Sequence, residues 1–495
     1  MATAALPQDP DLEQLRKQAR ELQRAVRQGD RDARDRIARW HPDPPDAETF
    51  PLTAAQLVLA REHHFPSWTR MRRYVEIITA RSWAPGRPAS EDEPMADRFL
   101  RLACLTYTGD DHGADQEAAA RLLAEHPDLP AQSLFVAAAC ADVAQVRRHL
   151  AGREGAAAVT GGPHDWSPLL YQAYARHDPE VTLEATLETA RLLLDHGADA
   201  NDGRFWHGLP TPFTVLTGVL GHGEQHQPWH PHAIPLARLL LERGADPNDG
   251  QALYNRMFDA NDDHLVLLFE FGLGRDSNGP WYQLLGDSLE SPTDMLRSLL
   301  GWAVTHDQRD RVALLAEHGV DVVSPFTEDR GPRRGTPVEV ALTNGYRQLA
   351  DQLLALGAEP PRLRPADVFV AAVLSGDEEA VRATPAEVVE AVRVKRTGLV
   401  TWAAAHGAPN AVPLLVASGW DINALGRSDI PSNLPWHTAL HAAVEKGDSS
   451  LARTLLDLGA DTGIQDKRFQ GTPLDWARYF QRPELIELLQ PLTPP

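Results

Sequence analysis

The sequence is poor in the residues that staple, span or coordinate. Only two of its 495 residues are cysteine, Cys104 and Cys140, so a disulfide framework is excluded. Both lie in apolar stretches, Leu102-Ala103-Cys104-Leu105 and Ala137-Ala138-Ala139-Cys140, and read as buried thiols. No segment approaches the run of about 20 apolar residues that crosses a bilayer. The N-terminus lacks the basic-then-apolar pattern of a secretory signal. A cytoplasmic chain that does not engage a membrane is therefore expected. Lysine is confined to Lys17, Lys395, Lys446 and Lys467, and positive charge falls short of negative, for a net charge of -21. A sequence-independent nucleic-acid binder needs a basic surface to displace counterions, so no nucleic-acid partner is expected, whereas a basic partner is compatible. Residues 1–82 are nearly balanced in charge, which places the acidic excess in the remainder. Also missing are a glycine-rich phosphate loop, a paired-cysteine zinc pattern and a nucleophile-elbow phrase. No cofactor is expected, and no catalytic residue can be named.

What the chain does have is repetition. Its length exceeds the roughly 250–300 residues at which single cores stop growing, so several domains or an array built by addition is required. A leucine-rich phrase ending in Gly-Ala-Asp reads Ala190-Arg191-Leu192-Leu193-Leu194-Asp195-His196-Gly197-Ala198-Asp199 and again Ala237-Arg238-Leu239-Leu240-Leu241-Glu242-Arg243-Gly244-Ala245-Asp246. Weaker copies end at Gly319, Gly357, Gly419 and Gly459. A second phrase starts helices: Ser167-Pro168-Leu169-Leu170, Thr211-Pro212-Phe213, Thr336-Pro337-Val338, Thr438-Ala439-Leu440-His441 and Thr472-Pro473-Leu474. Ser or Thr accepts a bond from the free N–H groups of a helix start. Pro suits the first turn, where no N–H partner is needed. Gly ends the second helix in left-handed geometry, and Asp or Asn then favours a turn. One such helix pair cannot bury its apolar face, so neighbouring pairs must supply the core.

These phrases resemble the ankyrin repeat, Thr-Pro-Leu-His…Ala followed by Leu-Leu…Gly-Ala-Asp, although the signature His survives only as His441. The resemblance implies an all-α fold, an ankyrin-repeat solenoid of about eleven degenerate repeats over residues 97–495, with helix pairs starting near 97, 131, 163, 205, 250, 280, 333, 364, 394, 432 and 469. Two further blocks are similar to large bacterial ankyrin-repeat proteins: residues 250–274, containing Tyr254-Asn255-Arg256 and Phe271-Gly272-Leu273-Gly274, and Ala60-Arg61-Glu62-His63-His64-Phe65-Pro66-Ser67-Trp68. That family transfers no substrate and no catalytic residue.

Residues 1–82 read as a small N-terminal helical bundle. Leu12, Leu15, Ala19, Leu22 and Val26 share one helical face, Asp30 caps a helix through Trp40, Thr53 precedes one reaching His63, and Ser67 caps a fourth. Residues 83–96, rich in Pro, Ser, Gly and acids, read as a linker.

Aromatic and basic residues in first helices and turns form the candidate binding set: Tyr171, Arg204, Phe205, Trp206, His207, Tyr254, Asn255, Arg256, Trp281, Tyr282 and Trp302. Aromatics and Arg dominate binding hot spots. The 204–207 turn is expected to project from the core, so that Trp206→Ala would spare stability. Insertions at about 176–187 and 221–235 are expected to stack into one lip. Within the second, His222, His226, His230 and His232 suggest a metal, but Gly223, Pro228, Pro231 and Pro235 break the helix that would align them, so a flexible polar loop without metal is expected. The function expected is a scaffold that binds a protein or peptide on its concave face. The alternative is an enzyme or small-molecule-binding protein with a pocket in the same face of residues 163–302. An open groove would favour the first, and a closed cavity of a few hundred Å³ the second.

Overall fold

The computed structural model describes residues 6, 10–85, 92–108, 113–209, 211–224, 227–275, 279–326, 335–427 and 435–493. The fold is predominantly helical, with one small sheet among the described residues. Its contacts divide the chain into two units, residues 1–295 and 296–495.

The first unit opens with four packed helices, Leu12–Arg27, Arg31–Trp40, Leu52–Glu62 and Trp68–Arg81. Leu15, Ala19, Leu22 and Val26 form the buried face of the first. Asp30 caps the second by accepting from Ala33 N at 2.8 Å, and Ser67 caps the fourth through Arg70 N at 3.3 Å. Thr53 is not a cap. The third helix starts one residue earlier, after Pro51, without a side-chain cap.

Helix pairs follow. The first helices Leu134–Ala139, Pro168–Tyr174, Val215–Leu220 and Gly250–Met257 pack successively on one another. The second helices Val143–Leu150, Leu183–Asp195, Ala233–Glu242 and Asp263–Glu270 do the same. Leu193 and Leu240 of the repeated phrase are fully buried, and each such leucine contributes about 1.5–3 kcal/mol. The terminating glycines behave as their chemistry requires, with φ of +92° at Gly197 and +91° at Gly244. Asparagines two residues beyond the phrase tie successive repeats together: Asn201 donates to Gly244 O and accepts from Asp246 N, both at 2.8 Å.

In the second unit the pairs Pro337–Thr343 with Arg347–Ala355, Pro365–Leu374 with Glu378–Ala383, Leu399–Ala405 with Ala411–Ala417, Ala439–Lys446 with Ser449–Asp457 and Pro473–Tyr479 with Pro483–Leu489 repeat the arrangement. Thr336, Thr438 and Thr472 each form a capping box. With Nε2–H donating to Gly471 O at 3.1 Å, His441 accepts at Nδ1 from Thr438 Oγ1 at 2.8 Å, so the one surviving signature histidine joins its own cap to the next repeat.

The expected cap at Thr211 is displaced. Residues Pro212–Thr214 form a strand, β3, paired antiparallel to β2, Gly203–Trp206, which pairs in turn with β1, Ser82–Trp83. Thr214 is the actual cap, accepting from Thr217 N at 3.2 Å. The stretch expected to be a linker thus begins with Trp83, which is 3% exposed and packs edge-on against Trp166 at 4.6 Å. Residues 86–91, the middle of that stretch, lie outside the described residues. No helix among the described residues is long and apolar enough to cross a membrane. Cys104 is buried, and Cys140 half-buried.

Candidate functional site

The first unit encloses a cavity of about 570 Å³. Its floor comes from the cap of the helix Gly250–Met257. Asp249 accepts from Ala252 N at 2.9 Å and from Thr217 Oγ1 at 3.0 Å, and also from Thr214 Oγ1. Burial pushes this carboxyl up, against the lowering effect of those three bonds. One wall is aromatic: Trp206 stacks on Phe213 at 6.3 Å, and Tyr107 meets Phe213 edge-on at 5.2 Å. The opposite wall carries Trp281 and Tyr282 from the helix Pro280–Leu285. Trp281 is held by Nε1–H to Asn201 O at 2.9 Å, and Tyr282 by its hydroxyl to Glu290 O at 2.9 Å. Tyr254, 41% exposed, donates its hydroxyl to Glu224.

The electrostatics have one sign. Glu224, Asp246, Asp249 and Glu290 line the cavity, and among the described residues no Lys, Arg or His does. The Tyr282 phenol is pushed up by burial and by the carboxylates of Asp246, Asp249 and Glu290. The Tyr254 phenol is pushed up by burial and by Glu224. Carboxylates and aromatic faces together favour a positively charged group, through charge-assisted hydrogen bonds and cation–π attraction.

Five of the eleven candidate residues meet here: Trp206, Tyr254, Asn255, Trp281 and Tyr282. The others lie elsewhere. Tyr171 is fully buried, donating to Gly161 O at 2.8 Å. Arg204 is 8% exposed and engages Asp202 at 2.9 Å and Asp165 O at 2.7 Å. Phe205 is fully buried with Ile78, Trp281 and Leu285. His207 has φ of +48° and donates its N–H to Trp83 O at 2.8 Å. Arg256, 1% exposed, lies 3.7 Å over the Trp229 ring. Trp302 belongs to the second unit, where it stacks on His306 at 3.8 Å.

The projecting turn expected at 204–207 is therefore a packed strand. Even Trp206 is only half-buried rather than free, with Nε1–H bonded to Thr106 O at 2.9 Å. The backbone of β2 finds partners on both sides, which draws its side chains inward.

The inserted stretch 221–235 is likewise packed rather than flexible. His222 accepts from Trp229 Nε1 at 3.0 Å, and His230 is 6% exposed. Burial, Arg176 and His232 push His230 well down, which keeps it neutral. His226 lies outside the described residues, and among those described no group of three His, Cys, Asp or Glu is placed to hold a metal ion. The two insertions do meet: His232 Nε2–H reaches Val181 O at 2.6 Å, and Arg176 donates to Pro228 O at 2.9 Å. The second insertion also supplies Glu224 and Gln227 to the cavity. Sequence reasoning missed both, along with Tyr107, Phe213 and the carboxylates. The insertion itself was the available signal for Glu224 and Gln227.

Ankyrin repeats, in three copies, match residues 400–492. This agrees with the all-α arrangement of capped, glycine-terminated helix pairs described above. No curated protein matches the chain.

Proposed function

We propose, with the ankyrin repeats of residues 400–492 as the premise, that this chain is a binding scaffold that takes a protein or peptide partner, and that the cavity of the first unit receives a basic side chain of it. Ankyrin repeats generally serve protein interaction. The observation that carries the reading is the one-signed lining: four carboxylates and six aromatic rings, with no cationic side chain among the described lining residues. The domain reading belongs to the same proposal. Residues 1–82 act as a helical domain, residues 97–495 as about eleven degenerate repeats, and the likeness to large bacterial ankyrin-repeat proteins extends over the whole. A cytoplasmic setting completes it.

A second reading has an observation of its own. A volume of about 570 Å³ lies in the range of small-ligand pockets, roughly 300–1,000 Å³, so a small organic cation also fits. Selection of displayed random heptapeptides on the full-length chain separates the two. Lys- or Arg-containing peptides are expected to be enriched. Tyr254→Ala and Glu224→Gln are each expected to weaken the selected peptides about tenfold or more, since a hydrogen bond to a charged group contributes about 1.5–3 kcal/mol. Enrichment without basic residues, or affinity indifferent to both substitutions, refutes the proposal. Choline competing at least as tightly as the best peptide favours the small-molecule reading.

A further inference from the structure

The second unit holds a larger cavity of opposite charge. Its volume is about 750 Å³, and among the described residues Arg362, Arg364, Lys395, Arg396 and Arg427 line it against Glu339 and Asp367. On a chain of net charge -21, five cations around one cavity are a local reversal that the bulk composition does not supply.

The two carboxylates are already engaged. Glu339 closes a capping box, accepting from Thr336 N at 2.9 Å, and also accepts from Arg362 N at 3.1 Å. Asp367 accepts from Arg364 Nε at 2.8 Å. The side chains of Arg362, Lys395 and Arg396 make no hydrogen bond or ion pair among the described residues. They are nonetheless held in place by their backbone. Arg396 follows the helix Ala386–Lys395 directly, and its carbonyl accepts from Trp420 Nε1 at 2.9 Å. Two residues on, Gly398 lies so close to Gly426 that a Cβ on it would stand 2.5 Å from the Gly426 Cα. That contact pins the segment carrying Lys395 and Arg396 beside the one carrying Arg427.

We infer that this cavity is a binding site for a small multivalent oxyanion, a phosphate ester or a polycarboxylate, held by Arg362, Lys395 and Arg396. Guanidinium groups present planar, paired donors that match phosphate and carboxylate oxygens. Three cationic side chains that make no hydrogen bond or ion pair among the described residues, around one volume, call for more than one negative charge. Burial pushes Arg396 down, the Asp367 carboxylate opposes this, and the neighbouring Arg427 adds to it, so the charged arginine gains from a further anion beside it. The volume of about 750 Å³ lies within the small-ligand range. This site is independent of the acidic cavity in the first unit.

Calorimetric titration of the full-length chain with sodium pyrophosphate, with citrate and with hexaglutamate, at matched ionic strength, tests the inference. Saturable binding of pyrophosphate or citrate is expected, and which of them binds more tightly identifies the anion class. Arg362→Gln and Arg396→Gln are each expected to weaken it at least tenfold, while Arg453→Gln, exposed on another helix, leaves it unchanged. Arg362 is exposed, so its substitution carries the test even if Arg396→Gln disturbs folding, which circular dichroism reports. Absence of saturable binding by either small anion, binding equal in wild type and Arg362→Gln, or binding by hexaglutamate alone overturns it.

Discussion

Gly218 sits in the buried helix Val215–Leu220, directly against Tyr174 of the preceding repeat. A Cβ on Gly218 would stand 2.2 Å from Cε2 and 2.3 Å from Cδ2 of that ring. The ring has no room to yield. Tyr174 is 1% exposed, donates its hydroxyl to Thr214 O at 2.9 Å, and packs against Trp166 at 4.8 Å and Tyr107 at 6.2 Å. Gly218→Ala therefore sets two effects against each other. Alanine gains about 1 kcal/mol of helix preference over glycine. Overpacking costs about 1–3 kcal/mol, and leaving the Thr214 carbonyl without its partner costs about 1–3 kcal/mol more. Steric conflict wins, with a net loss of about 1–5 kcal/mol. Urea titration followed by tryptophan fluorescence and circular dichroism reads the loss directly. The companion variant Tyr174→Leu empties the space, so adding Gly218→Ala to it should cost at least about 1 kcal/mol less than in wild type, as contacting residues couple. A Gly218→Ala protein as stable as wild type, as helix preference alone demands, refutes the reasoning.

Gly244 tests the helix-ending rule in the opposite circumstance. Its φ is +91° and a Cβ there meets nothing within 4 Å, so Gly244→Val isolates backbone strain, expected at about 1–2 kcal/mol, with Gly244→Asn costing less; an unchanged urea midpoint for the valine variant contradicts the cap. Stability should also fall on mild acidification. Burial pushes His164 and His177 down from 6.5 to about 4, so between those values the unfolded chain takes up protons that the folded chain does not. Stability is then fully present above about pH 6.5 and is lost as pH falls toward 4. Replacing both with Gln should make the fall of the urea midpoint shallower over that range, the buried His230, His406 and His441 supplying the remainder, and parallel profiles for variant and wild type count against it.

The helix punctuation was legible because it is local. A cap needs an acceptor within three residues, as at Ser167 and Thr472, and a terminating glycine needs only its own missing Cβ. The failures have a local cause too. Thr211 and Thr214 are both followed by apolar residues, and only the pairing of β3 with β2 makes Thr214 the cap. The 204–207 turn read as exposed because turns usually are. Nothing near it in sequence announces that Ser82–Trp83, more than a hundred residues earlier, supplies its neighbouring strand.

The sequence by itself determined that the chain is helical and that its helices come in glycine-terminated pairs. Those properties depend on hydrogen bonds and apolar spacing within a few residues. The tertiary structure alone decided which aromatics are walls and which are core, and that Glu224, Asp246, Asp249 and Glu290 face one cavity while Arg362, Lys395 and Arg396 face another. Charge in a sequence is only a sum. Its sign at a point in space depends on which distant segments fold together around that point, and Coulomb interactions decide binding at distances of a few ångströms.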